Sequence, residues 1–285
     1  MKAYFDKYPN SVAILYDSEF SVSPKYLRSF KIDPSRIIHA PIEHLEQLKF
    51  DIINRLNTIE RGDRLFILVD SLGSLASKKE YEDALNEKSV SDMTRAKAIR
   101  SLLRLVTSQV SIKDIPCFMI NHVYDSQDLF SKFVVSGGKA VIYSPDQVFI
   151  ITRSKEKEGT EFSGYKFTIN VEKSRFVKEK SKLSFDVLYS TGMNKYSGLM
   201  DLALESGICV KPLMGWYSKI DFNTGEIEAK KYRLKDTNTS EFWEPILKSS
   251  LFQNWVKNEF QMKEFLQSSN EESIEIIDGS EPYIL

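Results

Sequence analysis

The chain has 285 residues, of which 42% are hydrophobic and 28% charged, a mixture that excludes wholesale disorder and a membrane-protein composition. Lys and Arg number 39 against 40 Asp and Glu, for a formal net charge of -1, so any nucleic-acid site has to come from local clusters of cations rather than from the field of the whole molecule. Two cysteines, Cys117 and Cys209, without metal-ligand spacing, exclude a disulfide framework and a zinc site and predict a reducing intracellular compartment.

Residues 3–8 read as the last turns of a helix stopped by Pro9, with no signal-peptide pattern. Residues 12–16 (VAILY) form a continuous apolar run that ends in Asp17, as a strand buried on both faces does. The pattern returns at 65–69 (LFILV), which runs into Asp70 and Ser71, and at 117–120 (CFMI), which runs into Asn121 and His122. Helical periodicity occupies 24–30, 42–60 and 91–109 between these strands. Strand and helix in alternation predict an α/β fold with a mainly parallel sheet flanked by helices, and in such sheets the ligand site lies beyond the carboxyl ends of the strands. The polar residues at three strand ends are therefore expected to converge.

Beyond residue 136 the runs shorten and alternate, at 147–152, 164–171 and 183–189, and are expected to continue the sheet with some antiparallel strands. A short helix is indicated at 198–207 and a longer one at 239–267, separated by a polar linker at 223–236; 271–278 is acidic. The expected organisation is a core over 1–218 and a small C-terminal subdomain with an acidic tail over 219–285.

A carboxylate at the end of an apolar strand, followed by a hydroxyl, suits a magnesium ion beside nucleotide phosphates, which singles out Asp70 with Ser71; an Asp there also suits a simple turn cap. Glu19, two residues past the end of the first strand, is placed to orient a water for in-line attack on phosphorus, or else is a solvated turn carboxylate. His122, beside Asn121, can donate to a terminal phosphate, though a lone His is more often structural. The connection 123–140 lacks periodicity and carries Phe130, Lys132, Phe133, the pair Gly137-Gly138 and Lys139; aromatic and basic side chains on such a loop suit single-stranded nucleic acid, and a plain surface loop is the alternative. Lys88, Arg95 and their neighbours Lys78, Lys79 and Lys97 mingle with Glu80, Glu82, Asp83 and Glu87, which also fits a solvated helix face. Lys173, Arg175, Lys178, Lys180 and Lys182 form the densest basic run.

Seven colinear segments carry a resemblance: DSEF at 17–20, RLFILVDSLGSLASKKE at 64–80, DALNEKSVSDMTRAK at 83–97, IPCFMINHVYDSQDLFSK at 115–132, YKFTINVEKSRFVKEKSK at 165–182, YSGLMDLALESG at 196–207 and GWYS at 215–218. Together they resemble the RecA family of recombinases in its phage UvsX branch. The resemblance implies a RecA-like core that binds ATP and Mg2+, coats single-stranded DNA as a filament and exchanges strands with a duplex. By matching position, Glu19 would activate the water and Asp70 would be the acid beside the metal, with Ser71 next to it. Asn121 and His122 would face the nucleotide, His122 sensing the γ-phosphate where bacterial RecA has Gln. Lys173 and Arg175 would reach a neighbouring subunit's ATP, and 86–92 and 123–140 would be the two DNA-binding loops. Implied partners are DNA, further copies of the chain in a filament or dimer, and phage mediator and single-stranded-DNA-binding proteins in the cytoplasm of an infected bacterium, with no membrane. No G-x-x-x-x-G-K-S/T loop occurs in the 285 residues, so the chain is expected to be a fragment of such an enzyme, inactive alone, the other reading being a non-catalytic, DNA-binding or filament-modulating paralogue.

Overall fold

The computed structural model describes residues 1–86, 94–125, 133–158, 161–222 and 224–261. The chain divides into two compact units, Met1–Asp146 and Gln147–Leu285.

The first unit runs α1 (Lys2–Lys7), β1 (Val12–Asp17), α2 (Pro24–Ser29), β2 (Ile37–Pro41), α3 (Leu45–Asn57), β3 (Leu65–Asp70), α4 (Lys78–Leu85), α5 (Thr94–Lys113), β4 (Cys117–Met119), β5 (Val123–Asp125), β6 (Phe133–Val135) and α6 (Ala140–Tyr143). Four strands form a parallel sheet in the order β2-β1-β3-β4. The near-continuous apolar runs of β1 and β3 follow from burial on both faces. Ile14, Tyr16, Ile67 and Val69 pack with Leu45, Leu48, Ile52 and Leu56 of α3 and with Ile99, Leu102, Leu103 and Val106 of α5. The three- and four-residue spacing in each helix puts these side chains on one stripe. Burial of each such side chain contributes roughly 1.5–3 kcal/mol. Tyr16, fully buried, keeps its hydroxyl satisfied by donating to Asp51 at 2.8 Å, and Asp51 also takes Arg55 Nε at 2.6 Å.

The three strands read from the sequence are present, and the parallel α/β architecture is as expected. Strand β2 was not foreseen: IIHAP is short and lies at the sheet edge, where burial imposes little pattern. It ends at Pro41, directly before the segment read as helix from residue 42. Helix α3 instead begins at Leu45, where His44 Nδ1 accepts the Gln47 amide at 3.2 Å, although Ile42 still contributes to the core.

The second unit runs β7 (Gln147–Glu158), β8 (Glu161–Ser174), β9 (Lys182–Leu188), β10 (Gly192–Met193), α7 (Leu199–Glu205), β11 (Cys209–Leu213), β12 (Trp216–Lys219), α8 (Ser240–Lys248) and α9 (Ser250–Phe260). The expectation that its strands continue the first sheet is corrected. They make a sheet of their own, β10-β9-β8-β7, whose β7 and β8 run antiparallel because they are joined through only residues 159–160, too few for a parallel crossover. Gly164 is required there: a Cβ would stand 2.3 Å from the Val187 carbonyl oxygen. Of the helical stretch expected at 239–267, residues 262–267 lie outside the described residues, and the described part is two helices, broken at Ser249, whose Oγ accepts the Phe252 amide at 3.1 Å and so caps α9. A second core gathers Met200, Ala203, Ile208, Cys209, Phe242, Trp243, Ile246 and Phe252, drawn from both sides of position 218. The acidic stretch 271–278 lies outside the described residues.

Candidate functional site

Strands β1 and β3 end in register, Asp17 opposite Asp70, and β4 ends one strand over, shortly before Asn121 and His122. One backbone bond and the Ser18 hydroxyl stitch the first two ends together. The Ser18 amide donates to the Asp70 carbonyl at 2.8 Å, Ser18 Oγ donates to the Ser71 carbonyl at 2.7 Å, and the Ser71 amide donates to Ser18 Oγ at 2.8 Å.

Asp17 is fully buried and shapes the turn that carries Glu19. Its carboxylate accepts the amides of Glu19 at 3.1 Å, Phe20 at 2.7 Å and Val22 at 3.3 Å, and meets His39 Nε2 at 3.0 Å. Burial by itself raises this carboxyl, and the His39 ring together with the three amides more than offsets it, so the group lies below its ordinary value. The same bonds hold Phe20 at a φ of 54°, a left-handed conformation that a bulky side chain rarely adopts.

Glu19 extends from this turn with 41% of its side chain exposed. Its Oε1 accepts Ser71 Oγ at 2.9 Å and Ser74 Oγ at 2.7 Å, and His122 Nε2 lies 3.5 Å from the same oxygen. The Ser74 and Ser71 hydroxyls, helped by His122, hold the Glu19 carboxyl below its ordinary value. Asp70 is shifted the other way, raised by burial and then by the neighbouring carboxylates of Glu19 and Asp17, which His122 partly counters. Among the described residues nothing hydrogen-bonds the Asp70 carboxylate. A carboxylate left unbonded among like charges suits a cation, and since no group of three acidic, His or Cys side chains among the described residues could cage a metal, the residues fit a magnesium ion held by Asp70 together with water and phosphate oxygens.

The His122 ring packs closely against Gly73: a Cβ there would lie 2.7 Å from His122 Cγ and Nδ1. Asn121 Nδ2 donates to the Ser136 carbonyl at 2.7 Å, and the Ser136 amide donates to the His122 carbonyl at 3.0 Å, so the strand end is tied to the far side of the β5–β6 hairpin. The Asn121 Oδ1 is buried and has no partner among the described residues.

The structure thus brings Glu19, Asp70, Ser71, Asn121 and His122 to neighbouring strand ends. Arg95, expected among the DNA contacts, is engaged inside the chain: its guanidinium donates to the carbonyls of Leu75 at 2.8 Å, Gly73 at 2.8 Å and Leu72 at 3.3 Å, and to Ser136 Oγ at 3.0 Å. It ties the turn after β3 to the hairpin. Phe133 opens β6 opposite Asp125 and is half-buried. Gly137, with φ at 93°, packs so closely on α5 that a Cβ would meet Ile99 Cδ1 at 2.7 Å, whereas Gly138 and Lys139 are exposed. Lys88, Phe130 and Lys132 lie outside the described residues. Lys173 and Arg175 belong to the second unit, at and just beyond the end of β8. Sequence reasoning missed Ser18 and Ser74. Both are hydroxyls in Ser-rich turns, where nothing in the pattern separates a site residue from a turn former.

The RecA N-terminal domain family matches residues 5–194, and the family described as the C-terminal domain of the bacteriophage T4 recombination and repair protein matches residues 196–267. The recombination and repair protein of Enterobacteria phage T4 is 52% identical over 266 residues, which cover 92% of this chain and 68% of the T4 protein. Protein RecA of Chlorobaculum tepidum is 28% identical over 210 residues, covering 73% of this chain and 59% of that protein, and protein RecA of Aquifex aeolicus is 27% identical over 226 residues, covering 78% and 64%. The chain spans about two thirds of the length of these relatives. By this extent of match, continuous with the parallel sheet and the acidic strand ends, the chain belongs to the RecA family of recombination and repair proteins.

Proposed function

We propose that this chain acts in homologous recombination as an ATP- and magnesium-dependent filament former that coats single-stranded DNA and exchanges its strands with duplex DNA. The observation that carries the reading is the cluster of Glu19, Ser71 and His122 beside the unbonded Asp70 carboxylate at the ends of parallel strands. In this reading Glu19 takes a proton from the water that attacks the terminal phosphorus, Asp70 and Ser71 hold the metal side of the nucleotide, and His122 reads the terminal phosphate. A bound nucleotide with magnesium supplies the electrophilic phosphorus and the neutralising charge. The Ser136 bonds give His122 a direct mechanical path to the β5–β6 hairpin; Phe133, Gly138 and Lys139 in and just after it are assigned to single-stranded DNA, as are Lys88, Phe130 and Lys132, which lie outside the described residues. Gly137 and Arg95 support that hairpin from within.

Lys173 and Arg175 are assigned to a neighbouring copy's nucleotide, as cations supplied in trans. Mediator and single-stranded-DNA-binding proteins of a phage, in the cytoplasm of an infected bacterium, are the proposed working partners. No helix among the described residues is long and apolar enough to cross a membrane.

The phosphate-cradling loop G-x-x-x-x-G-K-S/T is absent from the 285 residues, so the test measures DNA-dependent ATP hydrolysis by the chain alone and with a segment bearing that loop. Turnover is expected with the segment, and Glu19→Gln should then lower it about 100-fold or more while single-stranded DNA binding persists. Folded chain that binds DNA yet never hydrolyses ATP in either form would instead identify a non-catalytic DNA-binding paralogue.

A further inference from the structure

Ser74 belongs to none of the roles assigned above, yet it makes the shortest contact to Glu19. Its Oγ stands 2.7 Å from Glu19 Oε1 and 2.9 Å from Ser71 Oγ, which is itself 2.9 Å from the same carboxylate oxygen. Two serine hydroxyls carry two protons, and both can be donated to Oε1 when Glu19 is ionised. With His122 Nε2 also on that side at 3.5 Å, Oε1 is taken up within the protein. Among the described residues Oε2 takes no hydrogen bond, and it is the oxygen left to receive a proton.

We infer that Ser74 is a positioning residue for the hydrolytic base, fixing the Glu19 carboxylate by one oxygen so that the other is presented to water; this rests on the assignment of Glu19 above. The hydroxyl stands on a fixed backbone, because Arg95 binds the carbonyls of Leu72, Gly73 and Leu75 on either side of it. A serine that merely finished its own turn would bond its local backbone. This one reaches a carboxylate 55 positions away in sequence. In the proposed step the water's O–H bond breaks as its oxygen bonds phosphorus, the proton goes to Glu19 Oε2, and ADP leaves with the electrons of the broken P–O bond. The Ser74 and Ser71 donors stabilise the ionised base before the step and orient it throughout, at the cost of some basicity.

The test uses the full chain, supplied with the phosphate-loop segment, as wild type, Ser74→Ala and Ser74→Thr. Alanine is expected to lower kcat about tenfold with little change in KM for ATP, and threonine, which keeps the hydroxyl, to restore most of it. A second readout needs no turnover. The chain has three histidines, so the His122 Nε2 resonance in 15N-histidine-labelled protein can be followed singly; it should shift in Ser74→Ala, as Glu19 loses a donor and turns toward the ring, and return in Ser74→Thr. Unchanged kcat and an unchanged resonance in Ser74→Ala would overturn the inference, and so would equal losses in both variants with the resonance unmoved, which would mark a damaged turn. If wild type shows no turnover at all, the hydrolytic reading of Glu19 falls, and the resonance alone decides whether Ser74 holds that carboxylate.

Discussion

Asp17 and Asp70 stand side by side in the register of β1 and β3, and their surroundings separate their work. Asp17 is enclosed and bonded on every side, and truncating it leaves three amides and the turn bearing Glu19 without an acceptor. Asp17→Ala is therefore expected to cost about 2–4 kcal/mol in urea unfolding. Because its folded carboxyl lies below the ordinary value, the stabilisation it gives is complete above a pH of about 4 and drains away as pH falls through the lower folded value. The deficit of Asp17→Asn relative to wild type should accordingly be larger at pH 6 than at pH 3, and a constant deficit would remove the charge from the argument. Gly73 is the second residue whose role is geometric: a methyl group there enters the His122 ring, so Gly73→Ala is expected to lower stability by about 1–3 kcal/mol and to displace the ring from Glu19. ATP turnover and the position of the His122 resonance check it. That Glu19, Asp70 and His122 come together could be read from the sequence because each lies at, or within two residues of, the polar end of an apolar run. The fate of Arg95 could not, since a cation in a mixed-charge segment looks the same whether its guanidinium faces water or binds four oxygens of its own chain.

Elements were legible in proportion to how strongly burial patterns them. β1 and β3, walled by helices, announce themselves as continuous apolar runs, and the stripes of α3 and α5 follow from the same core. Edge strand β2 and the split between α8 and α9 escaped, the one because exposure leaves it no pattern, the other because a single Ser249 cap interrupts periodicity that continues across it. The separate antiparallel sheet was hidden for a further reason: alternation shows that a segment is a strand and says little about which sheet it joins. Helix α4 shows how a short helix is held by the residue that caps it. Ser77 is fully buried, its Oγ accepts the Glu80 amide at 3.0 Å, Glu80 returns a bond to the Ser77 amide, and Thr94 Oγ1 at the start of α5 lies 2.8 Å from the same hydroxyl. One oxygen thus ties the start of α4 to the start of α5. Ser77→Ala should cost about 1–2 kcal/mol, more than an exposed cap, read as a lower urea midpoint at unchanged slope. A loss within 0.5 kcal/mol would mean that the cap is satisfied from elsewhere.

At the scale of the whole molecule, 39 basic residues against 40 acidic ones leave no general attraction for a polyanion, so the proposed affinity for DNA would have to be assembled from a few local cations and from stacking. These two contributions separate by their salt dependence. Each phosphate neutralised on a single strand contributes about -0.7 to the slope of log K against log salt, whereas a base stacked on an aromatic ring contributes roughly 1–3 kcal/mol with little slope. Lys139, exposed just past the β5–β6 hairpin, is assigned to phosphate, and Phe133, at the start of β6, to a base. Lys139→Ala should flatten the slope by about 0.7 on single-stranded DNA of any sequence, while Phe133→Ala should lower affinity and leave the slope where it was. Titrations at four or five salt concentrations suffice to distinguish them. A slope unaltered by Lys139→Ala would take the region after the hairpin out of the DNA path. A slope altered by Phe133→Ala would mean that the ring positions a neighbouring cation rather than a base.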